Sequence, residues 1–342
     1  MELNRSVLKP RESGKLISIH ATDVSMVDDG IDKIAQEIVK NLENGKLSPN
    51  NFSQSSYHPK PDDPRAVDWI FVIDTLNFCF WNSADGKKWK VDGQSGYFGL
   101  CAAIKRALED GIPITDSSFL SKISQDQLKH ILREDENSGE VPLLEERVKN
   151  LNEVGKVLLA KYKGTFLECI KSCNNSSESL LKLIVEDFEC YRDEATYQNQ
   201  KVSFYKRAQI LIGDVWACFQ GRGIGAFNDI EYITMFPDYR VPQVLLHFNA
   251  IKYSEKLLDK LSSGEYLEVG CNEEIEIRGC SIEVVERVVR AARILIAESA
   301  HAKLKKSDCN SILVDHYLWD YRRKHANELE HLPYHKVRTI YY

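Results

Sequence analysis

The chain has 342 residues, of which 43% are hydrophobic and 28% are charged, and this composition excludes the disordered and collagen-like classes. A chain of this length can bury a sizeable core without disulfide or metal staples, as one large domain or two. Its formal net charge of −6 at pH 7 argues against sequence-independent binding to long nucleic acid, because such binding depends on many lysine and arginine contacts to phosphates. We expect a folded protein without a stable nucleic-acid partner.

Signal-peptide and membrane-spanning segments are also missing from the pattern. The residues after Met1 contain no apolar run of signal-peptide type, and no stretch approaches the roughly 18 apolar residues of a membrane span. The nine cysteines are scattered, without a C-x-x-C pair or a Cys/His spacing of zinc-finger type, so neither a disulfide framework nor a structural zinc site is predicted. We expect a cytoplasmic or nuclear monomer with no membrane partner.

The first third of the chain predicts a mixed segment of helix and strand. Apolar residues recur at helical spacing from Ile31 to Leu42, which predicts an amphipathic helix. The apolar run Val67–Ile73 predicts a strand. Ser95 then caps a predicted helix from Tyr97 to Leu108. We expect residues 1–115 to form an N-terminal α/β segment.

Helices dominate the middle of the chain. Ser124 and Gln127 have the spacing of a capping box, which predicts a helix start, and further helices are predicted over 145–162, 165–173, 176–188 and 204–219. The glycine run 221–225 could suggest a phosphate cradle, but it follows a helix and lacks the Lys-Ser/Thr ending of a P-loop. A connection between helices is therefore the favoured interpretation of this run.

The last third predicts more helix and a small β element. A short helix or turn is predicted over 227–235, a helix over 241–261, paired strands over 266–269 and 274–278, and helices over 281–297 and 310–323. The fold class is therefore mainly α with a small β element. No Pro/Gly/Ser-rich linker divides the chain, so residues 116–342 are expected to form either a second lobe or part of one compact unit.

Asp238 is the first candidate for chemistry. Pro237 precedes it and Pro242 follows four residues later. Each proline fixes its own φ and disfavours helix at the residue before it, so the Asp238 backbone is expected in a defined non-helical turn. Phe236 would be core in most proteins, yet beside such a carboxylate it could also stack on a planar base.

The last predicted helix contains a second candidate surface. His316 and Asp320 share its apolar face, with Asp315 directly beside it. A carboxylate on such a face is costly unless it is paired or solvated in a cleft. A buried His–Asp pair, a pocket wall and, less favoured, a metal site all remain open.

Two further residues have weaker local signals. Lys206 lies in the first turn of its predicted helix, where it is either an ordinary solvated charge or a partner for a phosphate or carboxylate. His58 lies in the predicted loop 53–65 and has no specific signal of its own.

Several ordered blocks together resemble the queuosine salvage protein family, whose members are described as queuosine 5′-phosphate N-glycosylase/hydrolases. The resemblance covers nearly the whole chain. Its blocks are Asp74-Thr75-Leu76-Asn77-Phe78, Ser95-Gly96-Tyr97, Gly111-Ile112-Pro113-Ile114-Thr115, Ser203-Phe204-Tyr205-Lys206-Arg207-Ala208-Gln209, Phe236-Pro237-Asp238-Tyr239-Arg240-Val241-Pro242-Gln243, Leu318-Trp319-Asp320-Tyr321 and Ile340-Tyr341-Tyr342.

The resemblance implies a helical fold distantly like that of helix-hairpin-helix DNA glycosylases. It implies hydrolysis of queuosine 5′-phosphate to queuine and ribose 5-phosphate, for salvage of queuine into tRNA modification, with no metal or redox cofactor. The family's catalytic carboxylate falls on Asp238, and Lys206 would orient that carboxylate or meet the 5′-phosphate. The family's base-binding positions fall on Phe236, Asp315, His316 and Asp320, and its N-terminal pocket histidine falls on His58.

Two rival functions fit parts of the same pattern. A non-catalytic module could bind a modified nucleoside or tRNA in an aromatic and acidic pocket without turnover. A metal-dependent phosphohydrolase could use His316 and Asp320, and would release inorganic phosphate instead of a base.

Overall fold

The computed structural model describes residues 6–82, 86–298 and 304–342. No helix in these three ranges is both long and apolar enough to cross a membrane. The helices, numbered in chain order, are α1 (Pro10–His20), α2 (Asp28–Glu43), α3 (Ala66–Leu76), α4 (Gly96–Glu109), α5 (Ser117–Leu120), α6 (Gln125–Ile131), α7 (Leu144–Lys161), α8 (Phe166–Ser172), α9 (Ser177–Asp187), α10 (Lys206–Cys218), α11 (Val241–His247), α12 (Glu255–Ser262), α13 (Asn272–Glu298), α14 (Ser311–Lys324) and α15 (Ala326–Leu329).

The β structure of the described residues is limited to three two-stranded antiparallel sheets. Strand β1 (Val24–Met26) pairs with β6 (Ile251–Tyr253), β2 (Lys90–Val91) with β3 (Gln94–Ser95), and β4 (Glu194–Tyr197) with β5 (Gln200–Ser203). The predicted fold class, mainly α with a small β element, is confirmed.

Two compact units make up the chain, and each combines separate stretches of sequence. Unit 1 contains Met1–Ser48, Asp193–Gln209 and Glu231–Arg338, and unit 2 contains Pro49–Arg192, Ile210–Ile230 and Thr339–Tyr342. The boundaries fall after residues 48, 192, 209, 230 and 338, of which 209 lies within α10, whereas the sequence pattern suggested a boundary near residue 115.

In unit 1 the helices α1 and α2 pack against the long helix α13. Two glycines permit the close approach of α1 and α13. A Cβ added at Gly279 would lie 2.6 Å from the Ile17 side chain, and one added at Gly14 would lie 2.8 Å from Ile282. Larger residues at either position would therefore force these helices apart.

In unit 2 the helices α3 and α7 pack together, and a buried arginine fixes the end of α3. The guanidinium of Arg147 donates to the carbonyl oxygens of Leu76, Phe78 and Cys79. Leu76 is the last residue of α3 and Phe78 and Cys79 follow it, so Arg147 supplies donors to carbonyls that no further helical turn would pair.

The strand predicted over Val67–Ile73 is wrong, because this run lies inside α3. Nearly every side chain of α3 is buried, including Val67, Ile70 and Ile73. A helix that is buried all round has the same continuous apolar sequence as a buried strand, so periodicity does not separate the two.

The strand predicted over 274–278 is also wrong, because these residues form the first turns of α13. The alternation of Glu and Ile suggested one exposed face. However, Glu276 is only 1% exposed, and its carboxylate accepts hydrogen bonds from the Thr22 and Asp23 N–H groups and the Tyr197 hydroxyl. The prediction failed because it took glutamate to be exposed, whereas a carboxylate that accepts three hydrogen bonds can be buried. The other predicted strand, over 266–269, is reduced to a bridge between Tyr266 and Lys336.

The continuous helix predicted over 241–261 is interrupted. Helix α11 ends at His247, Asn249 has a positive φ of 57°, and β6 follows before Ser254 caps α12. Pairing of β6 with β1 overrides the helical periodicity. The helix predicted over 281–297 begins earlier, at Asn272, and only a short 3-10 turn, Ile230–Tyr232, forms within 227–235. The other predicted helices are present with ends shifted by a few residues, and the capping box of Ser124 and Gln127 is confirmed.

Candidate active site

Asp238 lies in unit 1 in the turn that leads into α11. Its Oδ1 accepts hydrogen bonds from the backbone N–H groups of Arg240 and Val241, at 2.8 Å each. Among the described residues, no donor is bonded to its other oxygen, Oδ2. The turn expected from the two prolines is therefore also fixed by the carboxylate itself, which keeps one half-buried oxygen available for a ligand.

Asp315 lies next to this turn, inside α14. It is 4% exposed, and its Oδ2 accepts the Phe236 N–H at 2.9 Å. Burial raises the pKa of Asp315 well above its ordinary value, the charge of Asp238 raises it further, and the Phe236 hydrogen bond and the Lys206 charge oppose this. A carboxyl group with a raised pKa beside a second carboxylate is the arrangement that separates an acid from a base in one site.

Lys206 is buried, so its interpretation as a solvated surface charge is wrong. It is 5% exposed at the start of α10. Its positive charge lowers the pKa of Asp315, so the ammonium group is close enough to interact with that carboxyl group. The residue before it, Tyr205, has a positive φ of 48°. This conformation is unfavourable for a bulky residue and occurs where surrounding contacts require it.

His316 adjoins the Phe236 ring. Their ring centroids are 6.2 Å apart with the planes tilted by 55°, so the two rings form neighbouring parts of one wall. Together, Asp238, Phe236, Asp315, His316 and Lys206 form a cluster within unit 1 from residues far apart in sequence.

Asp320 lies one turn further along α14 than His316. Its side chain is 42% exposed and faces the Lys324 ammonium at 3.9 Å. Burial raises the pKa of Asp320, while Lys324 and Arg323 lower it. Because the Asp320 side chain is this exposed, a His–Asp pair enclosed in the core is wrong. No group of three or more metal-ligating side chains occurs in the described ranges either.

His58 belongs to unit 2 and packs between the rings of Phe52 and Phe98, which together form the His58 nest. Its Nδ1 is 2.8 Å from the Phe52 carbonyl oxygen, and because a carbonyl only accepts, Nδ1 carries the proton. The ring stacks with Phe52 at 4.0 Å and with Phe98 at 5.6 Å between centroids. Its assignment to the substrate site stays a prediction.

Other residues of unit 2 form a largely buried polar cluster, in which Asp74, Asn77 and Asp214 are buried and Tyr97 is half-buried. The Tyr97 hydroxyl donates to Asp214 at 3.4 Å, and Asn77 donates to Asp74 at 3.2 Å. Burial raises the pKa of Tyr97 well above its ordinary value. Asp74, Asn77 and Tyr97 lie in the blocks that carry the family resemblance, whereas Asp214 lies outside them.

Two buried residues of unit 1 were not singled out by the sequence. Arg278 forms an ion pair with Asp193 and donates to the carbonyl of Pro237 at 3.0 Å. Asp193 also accepts the Lys206 backbone N–H at 3.1 Å. No local pattern indicates these contacts, because they join residues 13, 41 and 85 positions apart.

Comparisons with a family model and with known proteins all point to the same family. The model of the family described as "Queuosine salvage protein" matches residues 57–342. A Bos taurus protein named "Queuosine 5'-phosphate N-glycosylase/hydrolase" is 44% identical over 341 residues, which cover 98% of this chain and 99% of that protein. Proteins of the same name are 34% identical in Schizosaccharomyces pombe, covering 97% and 99% of the two chains, and 39% identical in Sphaerobacter thermophilus, covering 81% of each.

Proposed function

The chain belongs to the queuosine salvage protein family, and we propose that it hydrolyses the N-glycosidic bond of queuosine 5′-phosphate to queuine and ribose 5-phosphate. The family match over residues 57–342 and the printed names of the relatives support this reaction. The observation that carries the proposal is the Asp238 turn, where one carboxylate oxygen is bonded by two backbone N–H groups and the other is available.

Asp238 acts on the ribose. When the bond between C1′ and the base nitrogen breaks, positive charge develops on C1′ and the ring oxygen. Oδ2 of Asp238 stabilises this charge, either electrostatically or by forming a transient ester with C1′. The two backbone hydrogen bonds to Oδ1 hold the carboxylate in place, so little reorganisation is needed during the reaction.

Asp315 acts on the leaving base. The departing nitrogen takes the bonding electron pair and needs a proton, and a carboxyl group with a raised pKa supplies one. Water then adds its oxygen to C1′ and its released proton restores Asp315, which balances the reaction. Phe236, which donates its N–H to Asp315, stacks on the base with its ring.

The remaining cluster residues select the substrate. Queuosine carries a secondary amine and a diol, and carboxylates bind both. Asp320, one turn further along α14 than His316 and partly exposed, pairs with the amine, and His316 contacts the base. Lys206 orients Asp238 or meets the 5′-phosphate. A free nucleotide is the substrate instead of tRNA, because the net charge of −6 does not attract a polyanion.

Incubation of the purified protein with queuosine 5′-phosphate, followed by chromatography, tests this function. We expect queuine and ribose 5-phosphate in equal amounts, unchanged by chelator. Binding of the nucleotide without release of queuine would support the non-catalytic binder instead. Release of inorganic phosphate that is lost with chelator would support the phosphohydrolase. A parallel reaction with unphosphorylated queuosine measures the contribution of the 5′-phosphate.

A further inference from the structure

Arg278, on α13, joins the two segments that contain Asp238 and Lys206. Its side chain is 3% exposed, and two sides of the guanidinium group donate hydrogen bonds to different acceptors. Nε donates to the Pro237 carbonyl at 3.0 Å, and one terminal nitrogen donates to Asp193 Oδ1 at 3.0 Å. The guanidinium carbon also lies 4.1 Å from the centroid of the Phe204 ring. Every one of these contacts is within unit 1.

On one side, the Asp193 carboxylate controls the start of α10. Its Oδ2 accepts the Lys206 N–H at 3.1 Å and also accepts from Arg278. The Asp193 carbonyl accepts the Phe204 N–H at 2.9 Å, and the Tyr205 hydroxyl donates to Glu194 at 2.6 Å. These contacts hold Tyr205 at its positive φ of 48° and set the point from which the Lys206 side chain leaves the backbone.

On the other side, Pro237 directly precedes Asp238. Its carbonyl cannot be withdrawn from Arg278 without rotating the peptide plane that leads into the Asp238 turn. The Asp238 carboxylate fixes the turn on its C-terminal side through Arg240 and Val241, and Arg278 fixes it on its N-terminal side. One guanidinium therefore sets the position of both residues.

Of Arg278 and its basic neighbour His335, only Arg278 carries a positive charge at pH 7. Burial and the Arg278 charge lower the pKa of His335 to about 3, so His335 is neutral. The Glu274 carboxylate lies 3.4 Å from a terminal nitrogen of Arg278. Removal of the arginine would leave two buried carboxylates, Asp193 and Glu274, without this cation.

We propose that Arg278 is a positioning residue, which sets the distance between Lys206 and Asp238 during glycosidic-bond cleavage by holding Asp193 and Pro237. This inference rests on the proposed function of the cluster. Arginine suits the task because its planar fork bonds a carboxylate with one edge while Nε reaches a second acceptor. Lysine retains the charge but lacks this geometry, so Arg278→Lys separates charge from position.

The primary experiment compares Arg278→Lys with Arg293→Lys in steady-state assays on queuosine 5′-phosphate. Arg293 is a matched control on the same helix. It donates twice to the Cys309 carbonyl and pairs with Glu231, but none of these partners adjoins Asp238 or Lys206. At equal folded fraction, we expect kcat to fall on the order of 100-fold in Arg278→Lys, since small misplacements of reacting groups have effects of this size. KM should change by no more than about twofold, and Arg293→Lys should retain normal kcat.

A neutralised variant covers the case in which Arg278→Lys folds poorly. Arg278→Met combined with Asp193→Asn and Glu274→Gln removes the cation together with both carboxylates, so no buried charge lacks a partner. The amide introduced at position 193 still offers an oxygen to the Lys206 N–H, whereas the Pro237 carbonyl has lost its donor. We expect this variant to unfold at a temperature close to the wild type and to have a strongly reduced kcat.

The outcomes distinguish this inference from the proposed function. A kcat loss in Arg278→Lys no greater than in Arg293→Lys, or a normal kcat in the neutralised variant, would overturn the positioning role while hydrolysis by the wild type stands. Absence of queuine release by the wild-type protein would overturn the proposed function itself. A KM increase without a kcat loss would also contradict the inference, because it would place Arg278 in substrate binding.

Discussion

The Asp238 turn in unit 1 and the His58 nest in unit 2 immobilise a candidate side chain by different forces. Asp238 is held by two backbone N–H groups on one oxygen, and the second oxygen is available. His58 has one ring nitrogen bonded to the Phe52 carbonyl and its ring stacked with Phe52 and Phe98.

The difference shows which substitutions isolate function from folding in each region. At Asp238 the hydrogen bonds depend on an oxygen acceptor and not on a charge, so an amide preserves the turn and removes the anion. At His58 the packing depends on a flat ring and not on nitrogen, so another aromatic ring preserves much of the nest and removes the polar atoms.

Asp238→Asn should have the largest effect. The amide oxygen can still accept the Arg240 and Val241 N–H groups, so the melting temperature should stay close to that of the wild type. Loss of the negative charge should lower kcat by roughly 10²- to 10³-fold, the scale of removing one electrostatic contact to a transition state. Near-normal release of queuine by this variant would refute the role given to Asp238. Asp238→Ala is the complementary variant, since loss of the acceptor should destabilise the fold by about 1 kcal/mol.

Asp315→Asn should lower kcat by about 100-fold, the scale of general acid catalysis, and should change the pH dependence of stability. Because folding raises the pKa of Asp315, its contribution to wild-type stability is present below the unfolded value of about 3.9 and is lost as the pH rises through the folded value. The amide variant has no such loss. Its melting temperature relative to the wild type should therefore increase with pH across this window.

The pH profile of the reaction gives a second measurement for Asp315. Wild-type kcat should decrease as the pH rises through the raised pKa of Asp315, and the residual activity of Asp315→Asn should lack this decrease. Asp68→Asn is the matched control, because Asp68 is half-buried, its pKa is raised by burial, and it accepts the Phe166 N–H at 2.8 Å without belonging to the cluster. It should retain normal kcat, and wild-type kcat in Asp315→Asn would exclude the proton-donor role.

Whether a helix exposes a polar face explains which parts of the fold could be predicted from the sequence. Half-buried helices such as α2 and α4 expose one polar face, so their periodicity is visible. Helix α3 is buried all round, and the first turns of α13 contain Glu276 with three donors in the interior. In both places the prediction of a strand failed, because no exposed polar face reveals the helical period.

The candidate site was predicted where local sequence determines geometry. Pro237 and Pro242 indicate a fixed turn around Asp238, and helical spacing places His316 near Asp320. Burial of Lys206 and the contacts of Arg278 depend on residues up to 85 positions away. Such contacts are determined by packing of the whole unit, so no local pattern reveals them.

His58→Phe should sharpen the comparison from unit 2. The replacement ring can keep the stack with Phe52 and Phe98 but cannot bond to the Phe52 carbonyl or to a ligand. If His58 contacts the base, KM should rise about tenfold, the equivalent of about 1.4 kcal/mol, with a smaller change in kcat. His130→Phe, at an exposed histidine of α6, is the control and should leave both constants unchanged. An unaltered KM in His58→Phe would remove His58 from the substrate site.

Asp320→Asn should have the smallest effect, because its side chain is 42% exposed and solvent screens its charge. A pair between this carboxylate and the substrate amine should contribute less than about 1 kcal/mol, so KM should rise about threefold to fivefold at low salt. This difference should shrink as ionic strength increases. It should vanish with 7-deazaguanosine 5′-phosphate, which lacks the side chain that carries the secondary amine.

Lys324→Gln tests the same pairing from the opposite direction. Lys324 lies 3.9 Å from Asp320 and competes with the substrate amine for the carboxylate, so its neutralisation should lower KM slightly. Equal KM changes on both nucleotides in Asp320→Asn would show that Asp320 does not recognise the amine. Asp238 lies in the turn before α11 and Asp320 on α14. A loss of kcat in Asp238→Asn together with a rise of KM alone in Asp320→Asn would assign cleavage to Asp238 and recognition of the substrate amine to Asp320.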